Sequence, residues 1–181
     1  PRSTLFPYTT LFRSNYTPIF IVGLPRSGST LLESILTSSD EMIKSCAESH
    51  VFNMSILEQA GPKIFTKNFD IKKFTFKIDQ MKFENSVLQR YKKFNFINTD
   101  LNFIFIDKSL ENFFNIEIIM KIFPNARFLH TFRDPIDSVI SIYQSMLPEL
   151  SWTHKIEDIL DYTDNYKKVI SYFKIKYPNN I

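Results

Sequence analysis

The sequence predicts an α/β fold, a parallel β-sheet flanked by helices in three layers. Three observations carry this. A short apolar run rich in β-branched residues at 18–22 and a second buried-strand pattern at 102–107 read as strands, with a third strand at 127–131. Segments with helical spacing separate them, and such alternation argues for parallel strands joined by right-handed crossovers. The first run also passes through a glycine-bearing turn, Gly23 to Gly28, straight into a helical pattern.

In chain order, the first residues stand apart. Thr4 to Ser14 reads like the translation of a sequencing-library adapter, so residues 1–14 are expected to lie outside the fold and 15–181 to form one partial domain. Pro18 to Val22 is the first strand. Ser29 to Leu36 follows as a helix, with Leu31, Leu32, Ile35 and Leu36 at helical spacing. A second helix is expected over Ala47 to Ala60, stopped by Gly61-Pro62, and a third around Phe83 to Phe94 inside a stretch, 63–99, that carries no motif. Asn102 to Asp107 is the second buried-strand pattern and ends in an acid. Lys108 comes next, then a helix around Phe114 to Ile122, a turn at Pro124-Asn125 and a third strand, Arg127 to Thr131. Asp134 and Pro135 suit the N-cap and first position of a helix reaching about Ser145. A last amphipathic helix spans Ile156 to Phe173. Tyr177 to Ile181 supplies no closing element, so the fold is expected to be incomplete at its C-terminal end.

Composition narrows the function classes. With 44% hydrophobic and 15% aromatic residues the chain can bury a core and does not read as disordered. The 22 basic and 19 acidic residues give a formal charge of +3, and Arg2 and Arg13 lie in the segment set aside; that balance is no footprint for nucleic acid. The single cysteine, Cys46, excludes an intrachain disulfide, and with three scattered histidines it lacks metal-ligand spacing. The apolar run at Ile19 to Val22 falls far short of the ~18 residues a membrane span requires.

Ligands of open parallel sheets bind beyond the carboxyl ends of the strands, so the residues just after each strand are the candidates. After the first strand comes Gly23-Leu24-Pro25-Arg26-Ser27-Gly28-Ser29-Thr30. Glycines allow a tight turn, backbone amides and the positive end of the next helix can hold an anion, and Ser29 and Thr30 add hydroxyl donors. The nucleotide-triphosphate loop would require lysine after the second glycine. Ser29 stands there instead, and the charge comes from Arg26, whose guanidinium can grip a phosphate or sulfate bidentately.

Pro25-Arg26-Ser27-Gly28-Ser29-Thr30-Leu31-Leu32 resembles the 5′-phosphosulfate loop of sulfotransferases that use 3′-phosphoadenosine-5′-phosphosulfate (PAPS). It is most similar to the tyrosylprotein sulfotransferases and to bacterial sulfotransferases linked to tetratricopeptide repeats. Asp107-Lys108, Phe123-Pro124-Asn125-Ala126-Arg127 and Phe132-Arg133-Asp134-Pro135 recur in that family in the same order, so the resemblance covers roughly 18–178. It implies a P-loop-like fold, PAPS as co-substrate without a metal, and a hydroxyl-bearing acceptor: protein tyrosine, glycan or small alcohol. Pro25, Arg26, Ser27, Gly28, Ser29 and Thr30 would hold the 5′-phosphosulfate, and Arg133 and Ser141 the 3′-phosphate. Glu48 would be the general base and Lys108 the cation facing the leaving oxygen, with Arg26 sharing that charge. The family has Gly-Glu where this chain has Ala47-Glu48, which puts the local backbone in question because glycine there permits a positive φ. The compartment would be cytoplasmic for a bacterial enzyme and the Golgi lumen for a tyrosylprotein-type one.

Competing readings attach to particular residues. Asp107 would be the magnesium-site acid of a P-loop kinase or nucleotide-binding protein using Mg-ATP. Arg133 can be tied up structurally by Asp134 or Asp137, Lys108 can be a surface lysine, and His50 competes with Glu48 as base, whereas His130 sits inside a strand pattern. A donor-binding fragment without turnover is a further expectation.

Overall fold

A computed structural model describes residues 18–61, 80–94 and 104–181. Along these run β1 (Ile19–Gly23), α1 (Ser29–Ser39), β2 (Ile43–Ser45), α2 (Val51–Ala60), α3 (Gln80–Lys93), β3 (Ile104–Asp107), a 3-10 turn (Leu110–Phe114), α4 (Ile116–Ile122), β4 (Arg127–Thr131), α5 (Pro135–Ser145), a second 3-10 turn (Ser151–His154) and α6 (Ile156–Lys176). The four strands form one parallel sheet in the order β2-β3-β1-β4. The α/β class with a parallel sheet flanked by helices is therefore as the sequence predicts.

Hydrophobic pattern explains the order. In β1 the side chains of Phe20, Ile21 and Val22 are all fully buried, as a central strand covered on both faces requires. Phe20 anchors the core: its ring meets Phe52 of α2 and Phe105 of β3 edge-on and stacks on Phe128 of β4 at 5.4 Å. Such pairs add about 1 kcal/mol each beyond the area they bury. Asp134 caps α5 by accepting hydrogen bonds from the amides of Ile136 and Asp137, with Pro135 in the first position.

Four elements differ from expectation. β2 has one exposed and two half-buried residues and no apolar run, so nothing in the sequence marks it. The second helix starts at Val51 rather than Ala47, because the Cys46 amide bonds the Ile106 carbonyl and the Ala47 carbonyl accepts from the Lys108 amide, which continues the pairing with β3. The residues before α4 form a 3-10 turn, and α6 runs on to Lys176. Asn102 and Phe103 of the second strand pattern, most of the motif-free stretch (63–79 and 95–99) and the whole of 1–14 lie outside the described residues.

Candidate functional site

The turn between β1 and α1 is built around one close approach. Gly23 pairs with Thr131 across β1 and β4, and a Cβ at Gly23 would overlap Thr131 Oγ1 and come within 2.9 Å of Ser27 Oγ. The space is used by a knot of hydroxyls: Ser27 Oγ donates to the Leu24 carbonyl at 2.6 Å and lies 2.6 Å from Thr131 Oγ1. Beyond it the backbone turns through positive φ at Arg26 (66°) and Gly28 (92°). Gly28 is the N-cap of α1 and no side chain caps that end, so the first amides of the helix are left for an external partner.

A cavity of about 330 Å³ is lined there by Arg26, Ser27, Gly28, Ser29, Thr30 and Arg133. The residue leaving β4 thus sits with the loop leaving β1, as two neighbouring strand tips dictate. The Arg26 Nε donates to Ser141 Oγ in α5 at 3.3 Å. Ser141 therefore meets the loop through Arg26, whereas Ser138, one turn earlier, is buried and turned away from this cavity toward another of about 180 Å³. Arg133 is half exposed and keeps one loose partner, Asp137 Oδ2 at 3.7 Å. Both guanidiniums are available to an anion.

A second cavity of about 410 Å³ opens from the same loop. Gly23, Pro25, Arg26, Ser29 and Thr30 form one side of it and Glu48 and His50 another. Glu48 sits in the turn after β2, where Ala47 takes a φ of 47° and His50 one of 50°. The positive φ at Ala47 is the conformation a glycine would take without strain. Lys108 donates to Glu48 Oε1 at 2.8 Å and lies 3.8 Å from Glu33 Oε2. Lys108 is buried, not a surface lysine, and Glu33 is nearly so, while Glu48 is half exposed. Ser45 Oγ bonds Glu33 Oε1 and accepts from the Ala47 amide, tying α1 to the turn that presents Glu48. The sequence reading missed Glu33. Its signal was there: it follows Ser29 by four residues, which puts a carboxylate on the buried face of α1.

Asp107 is fully buried and has no lone pair to spare. Its Oδ2 accepts from Ser49 Oγ and from Tyr91 OH at 2.6 Å; its Oδ1 accepts from the Ser109 amide at 2.8 Å and Asn112 Nδ2 at 3.3 Å. Four donors make it a junction, and the magnesium-site role has no open oxygen to work with. Burial together with Asp107 pushes the Tyr91 hydroxyl well above its usual range. Among the described residues no group of three or more His, Cys, Asp or Glu side chains is placed to hold a metal ion, and no helix is long and apolar enough to cross a membrane.

The histidines separate as their positions suggest. His50 lines the second cavity with its Nδ1 3.4 Å from Glu111 Oε2. His130 packs in β4, where burial first and Lys174 second lower its pKa to about 4.

A model of the sulfotransferase family matches residues 18–176. Over 132 residues the chain is 27% identical to an uncharacterized protein of Aquifex aeolicus (strain VF5), covering 70% of this chain and 17% of that protein. This chain therefore spans about a sixth of the length of that curated relative. Among solved structures, a sulfotransferase from Mycobacterium avium is similar with a TM-score of 0.43 and 16% identity, over 71% of this chain and 46% of the other.

Proposed function

We propose, from the premise that the chain belongs to the sulfotransferase family, that it binds PAPS and transfers its sulfuryl group to a hydroxyl acceptor. The observation that carries this is the shared cavity of Arg133 with the loop Arg26 to Thr30. A donor with phosphate at both the 5′ and 3′ positions calls for cations toward both, and Arg26 and Arg133, from the ends of two neighbouring strands, line one cavity. The uncapped start of α1, Ser27, Ser29, Thr30 and Arg26 hold the 5′-phosphosulfate; Arg133, with Ser141 behind Arg26, holds the 3′-phosphate.

In the transfer, the acceptor oxygen bonds to sulfur as its proton passes to Glu48, while the bond from sulfur to the phosphate oxygen breaks and its electron pair stays on that oxygen. Lys108 occupies Glu48 Oε1, which leaves Oε2 to take the proton. Lys108 and Arg26 supply the positive charge that offsets the negative charge developing on the leaving oxygen.

Calorimetry with 3′-phosphoadenosine-5′-phosphate (PAP) and with Mg-ATP tests the reading. PAP should bind without added metal, and Arg133→Ala should weaken it roughly 10- to 100-fold, as loss of a charge-assisted contact of about 1.5–3 kcal/mol implies. No PAP binding, or a preference for Mg-ATP, would sink it.

A further inference from the structure

We infer that Glu33 is a positioning residue of the transfer: it is the standing counter-ion that keeps Lys108 paired when Glu48 takes up the acceptor's proton. This rests on the function proposed above and deepens it, since Glu33 lines neither the 330 Å³ nor the 410 Å³ cavity and acts only through Lys108.

Lys108 is the middle member of a row of three charges. Its Nζ donates to Glu48 Oε1 at 2.8 Å and lies 3.8 Å from Glu33 Oε2. The Lys108 and Glu33 side chains are 8% and 13% exposed, that of Glu48 54%. The two carboxylates therefore differ in kind. Glu48 lines the larger cavity and is open to a substrate proton, whereas Glu33 stands behind the lysine on α1. Ser45 Oγ donates to Glu33 Oε1, which leaves Oε2 toward Lys108. The same Oγ accepts from the Ala47 amide, so α1 and the turn that presents Glu48 hold one another.

One cation between two carboxylates leaves one negative charge in excess, and this is the charge that the reaction removes. As the acceptor hydroxyl passes its proton to Glu48, that side chain becomes neutral. With Glu48 as its sole anion, Lys108 would then be a buried cation without a partner, and stripping one partner from a buried ion pair is strongly destabilising. Glu33 prevents this. A side-chain rotation closes the 3.8 Å gap to Oε2, and the row passes from one excess negative charge to a neutral pair.

Glu48→Gln reproduces the neutral side chain without donor or acceptor, so a double-variant cycle tests the inference by urea titration. Glu33→Gln and Glu48→Gln should each raise the unfolding constant by no more than about threefold. Glu33→Gln/Glu48→Gln should exceed the product of the two by at least about tenfold. With Lys108→Met in all four chains the excess should vanish to within about twofold, which loss of the Ser45 contact would not bring about. Nitrogen-15 NMR of the Lys108 ammonium, assigned by its loss in Lys108→Arg, supplies a second readout: its protons should stay protected from exchange in Glu48→Gln and exchange at least about tenfold faster in the double variant. Should the double variant not fold, the signal in Glu48→Gln alone decides. The inference is overturned if the two changes simply multiply, if the excess persists with Met at 108, or if Glu48→Gln alone loses the protected signal. PAP is titrated into the parent chain alongside: no binding removes the donor reading and this inference together, whereas PAP binding with a cycle that shows no excess removes this inference alone.

Discussion

Replacing Gly23 by alanine probes the turn on which the anion site is built. The added Cβ would overlap Thr131 Oγ1, approach Ser27 Oγ to 2.9 Å and sit 3.0 Å from the Thr131 carbonyl oxygen. The backbone oxygen cannot retreat, because β1 and β4 are paired there. The Thr131 side chain must swing away, which breaks its contact with Ser27 at 2.6 Å. A lost hydrogen bond of about 1 kcal/mol and overpacking of about 2 kcal/mol give a cost of about 3 kcal/mol. For a domain of this size that corresponds to a fall in Tm of about 9 °C. PAP affinity should drop as well, since Ser27 is displaced. Thermal denaturation with and without PAP reads both effects. Gly23→Ala/Thr131→Ala should be less destabilised than the sum of the two single variants, because removing Oγ1 removes the worst overlap. A Gly23→Ala chain within about 0.5 kcal/mol of the parent, the range of a harmless surface change, would refute the argument. So would strict additivity in the double variant.

Three further outcomes follow from the same geometry. Asp137→Asn should tighten PAP binding about two- to threefold by calorimetry, since it frees Arg133 from its loose partner at 3.7 Å. His130 is held neutral in the fold at a pKa of about 4 against an ordinary 6.5, so the unfolded chain takes up the proton first. Stability should therefore decline as pH falls from about 6.5 toward 4, and His130→Asn should flatten that part of a denaturation-midpoint profile. Phe20→Ala should cost about 3–5 kcal/mol in a urea titration, because four aromatic rings pack on that side chain.

Strong local signals make much of this visible in the sequence. β1 is an apolar run ended by a glycine, β4 follows a Pro-Asn turn, and the α5 start is an Asp-Pro cap; the bounds of each are legible to within about a residue. Arg26 and Arg133 stand far apart in the chain, yet the rule that ligands sit at strand ends is enough to bring them to one cavity. What stays hidden depends on long-range pairing. β2 is a strand because β3 offers it an edge, not because Ile43-Lys44-Ser45 alternates. That pairing in turn shortens α2 and lifts Glu48 out of a helix into a turn. Tyr91 lies in a stretch without motif, and its role as a donor to Asp107 follows only from α3 packing behind β3. Trp152, Glu149 and Glu111 likewise come to one cavity only through the fold.

The Asp107 junction has a mechanical consequence. Ser49 follows Glu48 by one residue and Lys108 follows Asp107 by one, so Glu48 and its companion cation are each a single peptide unit from the same buried carboxylate or its donor. Their separation is thereby set by the scaffold before any substrate arrives. Any movement of the β1 loop against these residues must carry this pair as one piece, and the bending has to come from segments that Asp107 does not clamp.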